Sequence, residues 1–366
     1  MTDISPHDDD VAVIDTSRLT KVFGNLVAVN DLHLQVMRGD VFGFLGPNGS
    51  GKTTTIRMLL GLIRPTAGRA ILFGMDNADQ LSAILQRVGA IVETPMFYPY
   101  LSGLDNLRVV AAASGMMSGP INDRRLEEVL DIVELRAYQK LAFRKYSLGM
   151  KQRLGIAAAL LSDPELVLLD EPTNGLDPTG VIEIRRLIQR LSSLGKTIFL
   201  SSHFLSEVQQ VCNRVAIMRK GNLVKQGMVS ELLRSSEQIE VRLNREDETQ
   251  YALHLLQQMR SQGAQWLGDM RIAPNKQGLP MLLIDAPVSR SSEINALLAR
   301  QSLFAAELHP REGSLEEVFM ELTTSATTPE GYIGMEALAD APRQVPMQGG
   351  YPLQETPGAG SGKRAE

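Results

Sequence analysis

The sequence predicts an α/β fold built around a phosphate-binding loop, followed by a small α+β domain. Three observations carry this. From about Val11 to Ser230, short runs apolar on both faces recur, as in the buried strands of a parallel sheet. Amphipathic stretches at helical spacing separate them. A glycine-rich turn, Gly46-Pro47-Asn48-Gly49-Ser50-Gly51-Lys52-Thr53, joins one such strand to one such helix.

The elements follow in order. Val41-Phe42-Gly43-Phe44-Leu45 is the strand entering that turn. Beyond it, Ile56, Leu59, Leu60 and Ile63 mark a helix that runs until Pro65. Residues of about 94–160 are mostly helical, with Leu126, Val129, Leu130 and Val133 on one stripe. They read as a helical insert in the larger domain, 13–236. Residues 166–169 and 197–200 are two further strands. Residues 215–218 and 223–224 form a hairpin through Arg219-Lys220-Gly221-Asn222. A second unit, 237–323, reads as strand 238–243, helix 249–259, strand 265–272, strand 280–284, helix 293–300, strand 303–308 and helix 315–322. Its first six elements follow the βαββαβ order of ferredoxin-like folds, and Ser314 with Glu317 forms a capping box for the last helix. Residues 1–12 read as a flexible start and 324–366 as a disordered tail, rich in Ala, Pro, Gly and Thr. Tyr332, Ile333, Met335 and Leu338 leave a short docking motif open there.

Composition bounds the function. The 366 residues allow two to three folding units at ~150 residues each. Apolar residues at 43% and charged residues at 22% exclude wholesale disorder. A net charge of -5 gives no chain-wide basic field for nucleic acid. Apolar runs such as 156–161 and 166–169 fall far short of the ~20 residues a membrane helix needs. Residues 1–10 are acidic and lack an apolar core, so no secretory signal is expected. The single cysteine, Cys212, excludes an intrachain disulfide and fits a reducing compartment.

The turn matches G-x-x-x-x-G-K-[ST] in its required strand–helix setting. Glycines let consecutive backbone N–H groups converge on one anion, and the helix N-terminus adds partial positive charge. Lys52 reaches the β- and γ-phosphates, the Thr53 hydroxyl ligates magnesium, and Thr54 completes the binding segment. The second chemical element is the strand 166–169 ending in Asp170 and Glu171. Asp170 would hold magnesium through water, and Glu171 would position or deprotonate the attacking water. A solvated acidic turn before Pro172 is the alternative. The third is Ser147, a plausible cap for the helix starting near Leu148. It reads either as a simple cap or as a second phosphate cradle, and the spacing alone does not choose.

Taken in order, these motifs resemble the nucleotide-binding subunit of ATP-binding cassette (ABC) transporters. Gly46 to Thr53 matches Walker A, and residues 166–170 match Walker B, followed by Glu171. Ser147-Leu148-Gly149-Met150-Lys151-Gln152 matches the signature segment. Asn174-Gly175-Leu176-Asp177 matches the D-loop, and His203 the H-loop. Phe23 falls where the family stacks an aromatic ring on adenine. The resemblance implies a P-loop ATPase cassette that binds ATP and Mg2+ and forms a head-to-tail dimer, as a homodimer or with a paralogous cassette. Each ATP would lie between one chain's P-loop and the other's Ser147 and Gly149. Glu171 would orient water, His203 would hold the γ-phosphate, and Asp177 would report across the dimer. It also implies separate membrane-spanning permease subunits, attachment to the cytoplasmic face of the membrane, and no nucleic-acid partner.

Two departures stand out. Tyr146, Leu148 and Met150 replace three residues of the usual LSGGQ, while Ser147 and Gly149 remain. The strand 88–92 ends in Glu93 where the family has glutamine. Glutamate offers only acceptors when ionised; it could still ligate magnesium, but it adds charge beside the triphosphate. These departures, the segment Glu93-Thr94-Pro95-Met96-Phe97-Tyr98-Pro99 and the trailing residues 314–319 resemble the exporter ATPases of bacitracin and lantibiotic self-resistance. Phe97, Tyr98 and Tyr100 crowd together in a chain with 5% aromatics. They read either as local packing or as the seat of a permease coupling helix. Two other functional classes compete. A soluble cassette acting on nucleic acid or ribosomes resembles two fused cassettes, whereas this chain has one Walker A. A P-loop kinase or GTPase lacks the signature and His203.

Overall fold

In a computed structural model, the chain is described over residues 12–324 except 94, 117–118, 235–236, 275–277 and 312. The flexible start and the tail read from sequence lie outside the described residues, apart from Ala12 and Thr324. Two long strands open it, β1 (Ala12–Phe23) and β2 (Leu26–Met37), followed by β3 (Val41–Leu45) and α1 (Lys52–Leu59). Next come β4 (Ala67–Leu72), β5 (Met75–Asp76), α2 (Leu81–Leu85) and β6 (Val88–Ile91). The helical insert holds α3 (Gly103–Ala113), α4 (Pro120–Ile132) and α5 (Leu148–Ala159). The chain continues through β7 (Leu166–Asp170), α6 (Pro178–Ser193), β8 (Thr197–Ser202), α7 (Leu205–Val211), β9 (Arg214–Arg219), β10 (Asn222–Met228) and α8 (Val229–Arg234).

The central sheet runs β10-β9-β3-β8-β7-β6 and is parallel except for the β9–β10 hairpin. Its strands are buried on both faces, so alternate residues serve different cores. Val41, Leu45, Val167, Leu169, Ile198 and Leu200 face the helical side, with Leu126, Val129 and Leu130 of α4 in the same cluster. Phe42, Phe44, Leu166, Leu168 and Phe199 face the other side, where α1 packs. Phe42 and Phe199 stack with centroids 5.6 Å apart. The hairpin turns on Lys220 and Gly221, both at positive φ, as a tight two-residue turn requires.

Three details depart from the sequence reading. A four-stranded antiparallel sheet, β2-β1-β4-β5, covers the α1 side and was not foreseen. The helix after the P-loop stops at Leu59 rather than reaching Pro65, because Gly61 takes φ +67. The third concerns the C-terminal unit. It contains β11 (Gln238–Leu243), α9 (Glu246–Ser261), β12 (Met270–Pro274), β13 (Pro280–Asp285), α10 (Ser291–Arg300), β14 (Ala305–Arg311) and α11 (Leu315–Thr324). Its antiparallel sheet has the order β12-β13-β11-β14, that of a ferredoxin-like βαββαβ unit. Yet the buried residues of α11, Leu315 and Val318, lie in the central sheet's helical-side core and not in the C-terminal cluster. Strand 265–272 is shorter than read: residues 265–266 are turn, and the strand starts at Met270.

The entry to the sheet is pinned by charge. Glu165, just before β7, accepts from Arg87 Nε at 2.5 Å and Nη2 at 3.0 Å, and from Arg38 Nη1 at 2.8 Å. The Arg87 hydrogen bond, with Arg38 adding, lowers its carboxyl pKa to about 2. The folded value lies below the unfolded one, so this pairing stabilises the fold fully above the ordinary carboxylate range and is lost as pH falls toward 2. Glu165→Gln is expected to lower Tm at pH 7, and the gap to wild type to close as the pH is reduced below about 4. Thermal melts across that range check it.

Candidate active site

β3 ends at Leu45 and delivers the chain into the glycine-rich turn. Gly46 sits at φ +157 with no room for a side chain: a Cβ would lie 2.5 Å from the Met218 carbonyl. Gly51, at φ +107, would place a Cβ 2.5 Å from the Ala28 carbonyl. Both must be glycine for the loop to pass between its neighbours. The loop is braced by Ser50 N–H donating to Pro47 O (3.1 Å) and Gly221 N–H donating to Ser50 O (3.1 Å). Gly51 precedes α1 and offers no side-chain cap, so the first N–H groups of α1 are open to an anion. The Ser50 hydroxyl is buried with no hydrogen-bond partner, an orphan that a phosphate oxygen would satisfy.

A cleft of about 580 Å3 opens above this loop, lined by Phe23, Val27, Asn48, Gly49, Gly51, Lys52, Thr53, Thr54 and Glu171 among others. Phe23 closes β1, 48% exposed, with Lys21 Nζ 4.9 Å from its ring centroid. Lys52 is buried, donating to Gly46 O at 2.7 Å. Its ammonium also lies 3.1 Å from Glu171 Oε1. The other Glu171 oxygen lies 2.7 Å from His203 Nδ1. One carboxylate thus bridges the P-loop cation and the imidazole that follows β8. Glu171 takes φ +48 at the end of β7, and its N–H donates to Ser201 Oγ at 2.9 Å. Ser201 Oγ donates to Asp170 Oδ1 at 2.5 Å, so one serine orients both acidic residues. Sequence reasoning missed Ser201; the available signal was a polar residue ending an otherwise apolar buried strand.

Ser147, Gly149 and Asp177 are not in this cleft. Ser147 caps α5, accepting from Met150 N–H at 3.2 Å, and is exposed. Asp177 caps α6, accepting from Gly180 N–H at 3.3 Å. The two caps are neighbours: a Cβ on Gly149 would lie 3.8 Å from Gly180 Cα, and one on Gly175 3.5 Å from Leu148 Cδ2. Two side-chain-capped helix N-termini therefore share one exposed edge. Tyr146, in the place of the usual leucine, is buried and donates to Tyr138 O at 3.0 Å. Burial pushes its phenol pKa up, so it is a neutral packing residue.

Glu93 also lies outside the cleft. It takes φ +67 and pairs with Arg57 of α1. With Leu85, Ile91, Pro95, Phe97, Gly155 and Ala158 it lines a larger groove, about 1250 Å3, along β6 and α5. Sequence reasoning missed Arg57, whose charge answers that of Glu93. Phe97 packs edge-on against Phe143 at 5.1 Å, whereas Met96, Tyr98 and Tyr100 are 94%, 61% and 78% exposed. Local packing thus accounts for Phe97 and leaves the two tyrosines open. Among the described residues no group of three or more His, Cys, Asp or Glu side chains is placed to hold a metal ion. A hard cation that keeps most of its waters and draws on a hydroxyl and one carboxylate is the kind these residues fit. Cys212 is buried, and burial pushes its thiol pKa up, so it stays protonated and inert.

The family model described as ABC transporter matches residues 29–174. The chain is 39% identical over 317 residues to the bacitracin transport ATP-binding protein BcrA of Bacillus licheniformis, covering 86% of this chain and 98% of the relative. It is 45% identical over 221 residues to the BcrA protein of Enterococcus faecalis, covering 60% and 70%. Among solved structures, a dimeric ATP-binding cassette in a post-hydrolysis state bound to ADP and Pi shares the fold, with TM-score 0.53 and 24% identity over 59% of this chain and 98% of that one. A P-loop at the head of a parallel sheet and a full-length relative of that kind lead to one conclusion: the chain belongs to the ABC transporter ATP-binding proteins and is an ATPase subunit of that family.

Proposed function

We propose that this chain powers export through separate membrane permease subunits by closing as a dimer on two ATP molecules and reopening when they are hydrolysed. The observation that carries this reading is the Lys52–Glu171–His203 chain at the mouth of the P-loop. Lys52 exchanges Glu171 for the β- and γ-phosphates of incoming ATP, which supply the same negative charge to its ammonium. Freed from Lys52, Glu171 orients a water and takes its proton as the water oxygen attacks the γ-phosphorus. The bond to the bridging oxygen breaks, and ADP and phosphate result. His203, already aligned on Glu171, donates to the γ-phosphate. Thr53 and Asp170 would hold a magnesium ion, which neutralises phosphate charge when bound.

The exposed pair of caps, Ser147–Gly149 and Asp177, supplies the second half of a site to a partner chain. The dimeric cassette bound to ADP and Pi supports that assembly, which suits a two-fold isologous interface. Residues 13–236 serve as the ATPase and 237–323 as an accessory unit. The likeness to bacitracin transport proteins supports an export role, and the permease would hold the chain at the cytoplasmic face of the membrane. Among the described residues no helix is long and apolar enough to cross a membrane.

Phe23 is the adenine platform in this reading. Stacking on an aromatic ring is worth about 1–3 kcal/mol per base. Phe23→Ala should therefore raise the ATP Kd roughly tenfold, while Phe23→Tyr should not. Fluorescent-nucleotide titration measures both. The groove bordered by Met96 and Phe97, with Tyr98 and Tyr100 exposed nearby, is the permease seat. Affinity-tagged chain extracted from its native membranes should carry a membrane-spanning protein with it. Tyr98→Ala with Tyr100→Ala should lose that protein and retain nucleotide binding. Recovery of the wild-type chain from the membrane fraction without such a partner contradicts the reading.

A further inference from the structure

Helix α11 follows the C-terminal sheet in sequence but packs on the ATPase core. Its Leu315 and Val318 are buried in the helical-side cluster, where α11 meets α7 and α8. The Leu315 N–H belongs to the first turn of α11, where donors lack intrahelical partners. It donates to Gln209 Oε1 at 3.1 Å. Gln209 lies on α7, which starts two residues after His203. That helix is tied to the catalytic strand ends as well. Glu207 Oε2 accepts from Thr173 Oγ1 at 2.6 Å, two residues past Glu171. Val208 fills the space over Gly43 of β3, where a Cβ would come within 2.4 Å of Val208 Cγ1. At the other end, Arg311 closes β14 and pairs with Glu317 of α11 and, at 3.3 Å, with Glu240 of β11. The C-terminal sheet, α11 and α7 therefore form one contiguous chain of contacts, and α7 follows His203 directly in the chain.

We propose that α11, through Gln209, positions His203, so that the accessory unit sets the turnover rate without touching the nucleotide. The proposal rests on the reading of His203 as a γ-phosphate contact. Its direction follows from the two cores. α7 and α11 pack on one face of the sheet, while Ile56, Met58 and Leu59 of α1 pack in the cluster on the other. A disturbance at α11 reaches His203 through α7, and α1 only beyond it, through Glu171 and Lys52 or through the sheet. Loss of the α11 contact therefore affects kcat more than ATP affinity.

The test uses the full chain. Gln209→Leu removes the acceptor, and Gln209→Glu keeps one. Losing a single partly buried hydrogen bond of this kind should lower kcat about fivefold, with KM and fluorescent-nucleotide Kd changed by less than about twofold. Hydrogen exchange should rise at amides 203–212 and stay constant at 46–55. Gln209→Glu should restore the wild-type values. Leu315→Ala, which trims the packing instead, should move the same quantities in the same direction. Unchanged kcat and exchange in both Gln209→Leu and Leu315→Ala overturn the proposal. So does a parallel loss of kcat and nucleotide affinity, or a Gln209→Glu variant that behaves like Gln209→Leu. His203→Ala separates the layers. If it abolishes turnover while the α11 variants do nothing, the inference alone fails; if it leaves turnover intact, the reading of His203 fails with it.

Discussion

Glu171→Gln should lower steady-state ATP turnover by roughly two to four orders of magnitude, the usual range for a group that handles the proton of the attacking nucleophile. The amide keeps the size and one acceptor of the carboxylate but cannot take a proton. Its effect on binding should run the other way. The Glu171 carboxylate stands 3.1 Å from Lys52 Nζ and competes with phosphate for that ammonium. A neutral amide competes less, so the ATP Kd should be unchanged or lower. A variant that merely unfolded the site would lose both. Single-turnover hydrolysis and equilibrium nucleotide binding on the same preparation distinguish the outcomes, and a rise in Kd alongside the fall in turnover would contradict the exchange mechanism.

Lys52→Ala should act on binding first. The Lys52 ammonium is buried, and its partners are two loop carbonyls and Glu171. Charge-assisted hydrogen bonds to phosphate contribute about 1.5–3 kcal/mol each. Removing the ammonium should weaken ATP binding by about a hundredfold or more, with turnover falling accordingly. Lys52→Arg should rescue little, because a planar fork cannot replace a compact ammonium enclosed by the loop carbonyls. Nucleotide titration monitored by fluorescence or calorimetry reads the effect directly. An ATP Kd within about threefold of wild type would place the triphosphate elsewhere.

Much of the fold was legible because its signals are local. The strands at 41–45, 166–170 and 197–202 are apolar on both faces, and the glycine loop sits between a strand and a helix. The β2-β1-β4-β5 sheet was not, for a physical reason. Register shifts between β1 and β2 at Thr16/Leu19 and Leu19/Lys21, with Arg18 and Asp31 at positive φ, break the period-two alternation that identifies a strand. The helix α11 was placed in the correct span, but its partner was hidden: an amphipathic stripe shows that a face is buried and not against what. The same limit applies within the site. The sequence order gave Lys52, Asp170, Glu171 and His203 as candidates, and the fold brings Lys52, Glu171 and His203 into one chain of contacts. Ser201, which binds the Asp170 carboxylate and the Glu171 backbone N–H, and Arg57, which meets Glu93 across 36 residues of sequence, are tertiary pairings with no local motif. Glu93 read as a charge beside the triphosphate, whereas its carboxylate is held by Arg57 along the neighbouring groove.

In the proposed cycle two chains close on ATP, each supplying its P-loop to one nucleotide and its Ser147–Gly149 edge to the other. Sedimentation of the Glu171→Gln chain with and without Mg-ATP tests it most directly, because slowed hydrolysis preserves the ATP-bound state. The account predicts a monomer without nucleotide, a dimer with ATP, and a return to monomer with ADP; Ser147→Arg, which places bulk and charge on the shared edge, should block the dimer while leaving ATP binding intact. A Glu171→Gln chain that binds ATP and stays monomeric at every protein concentration would contradict it.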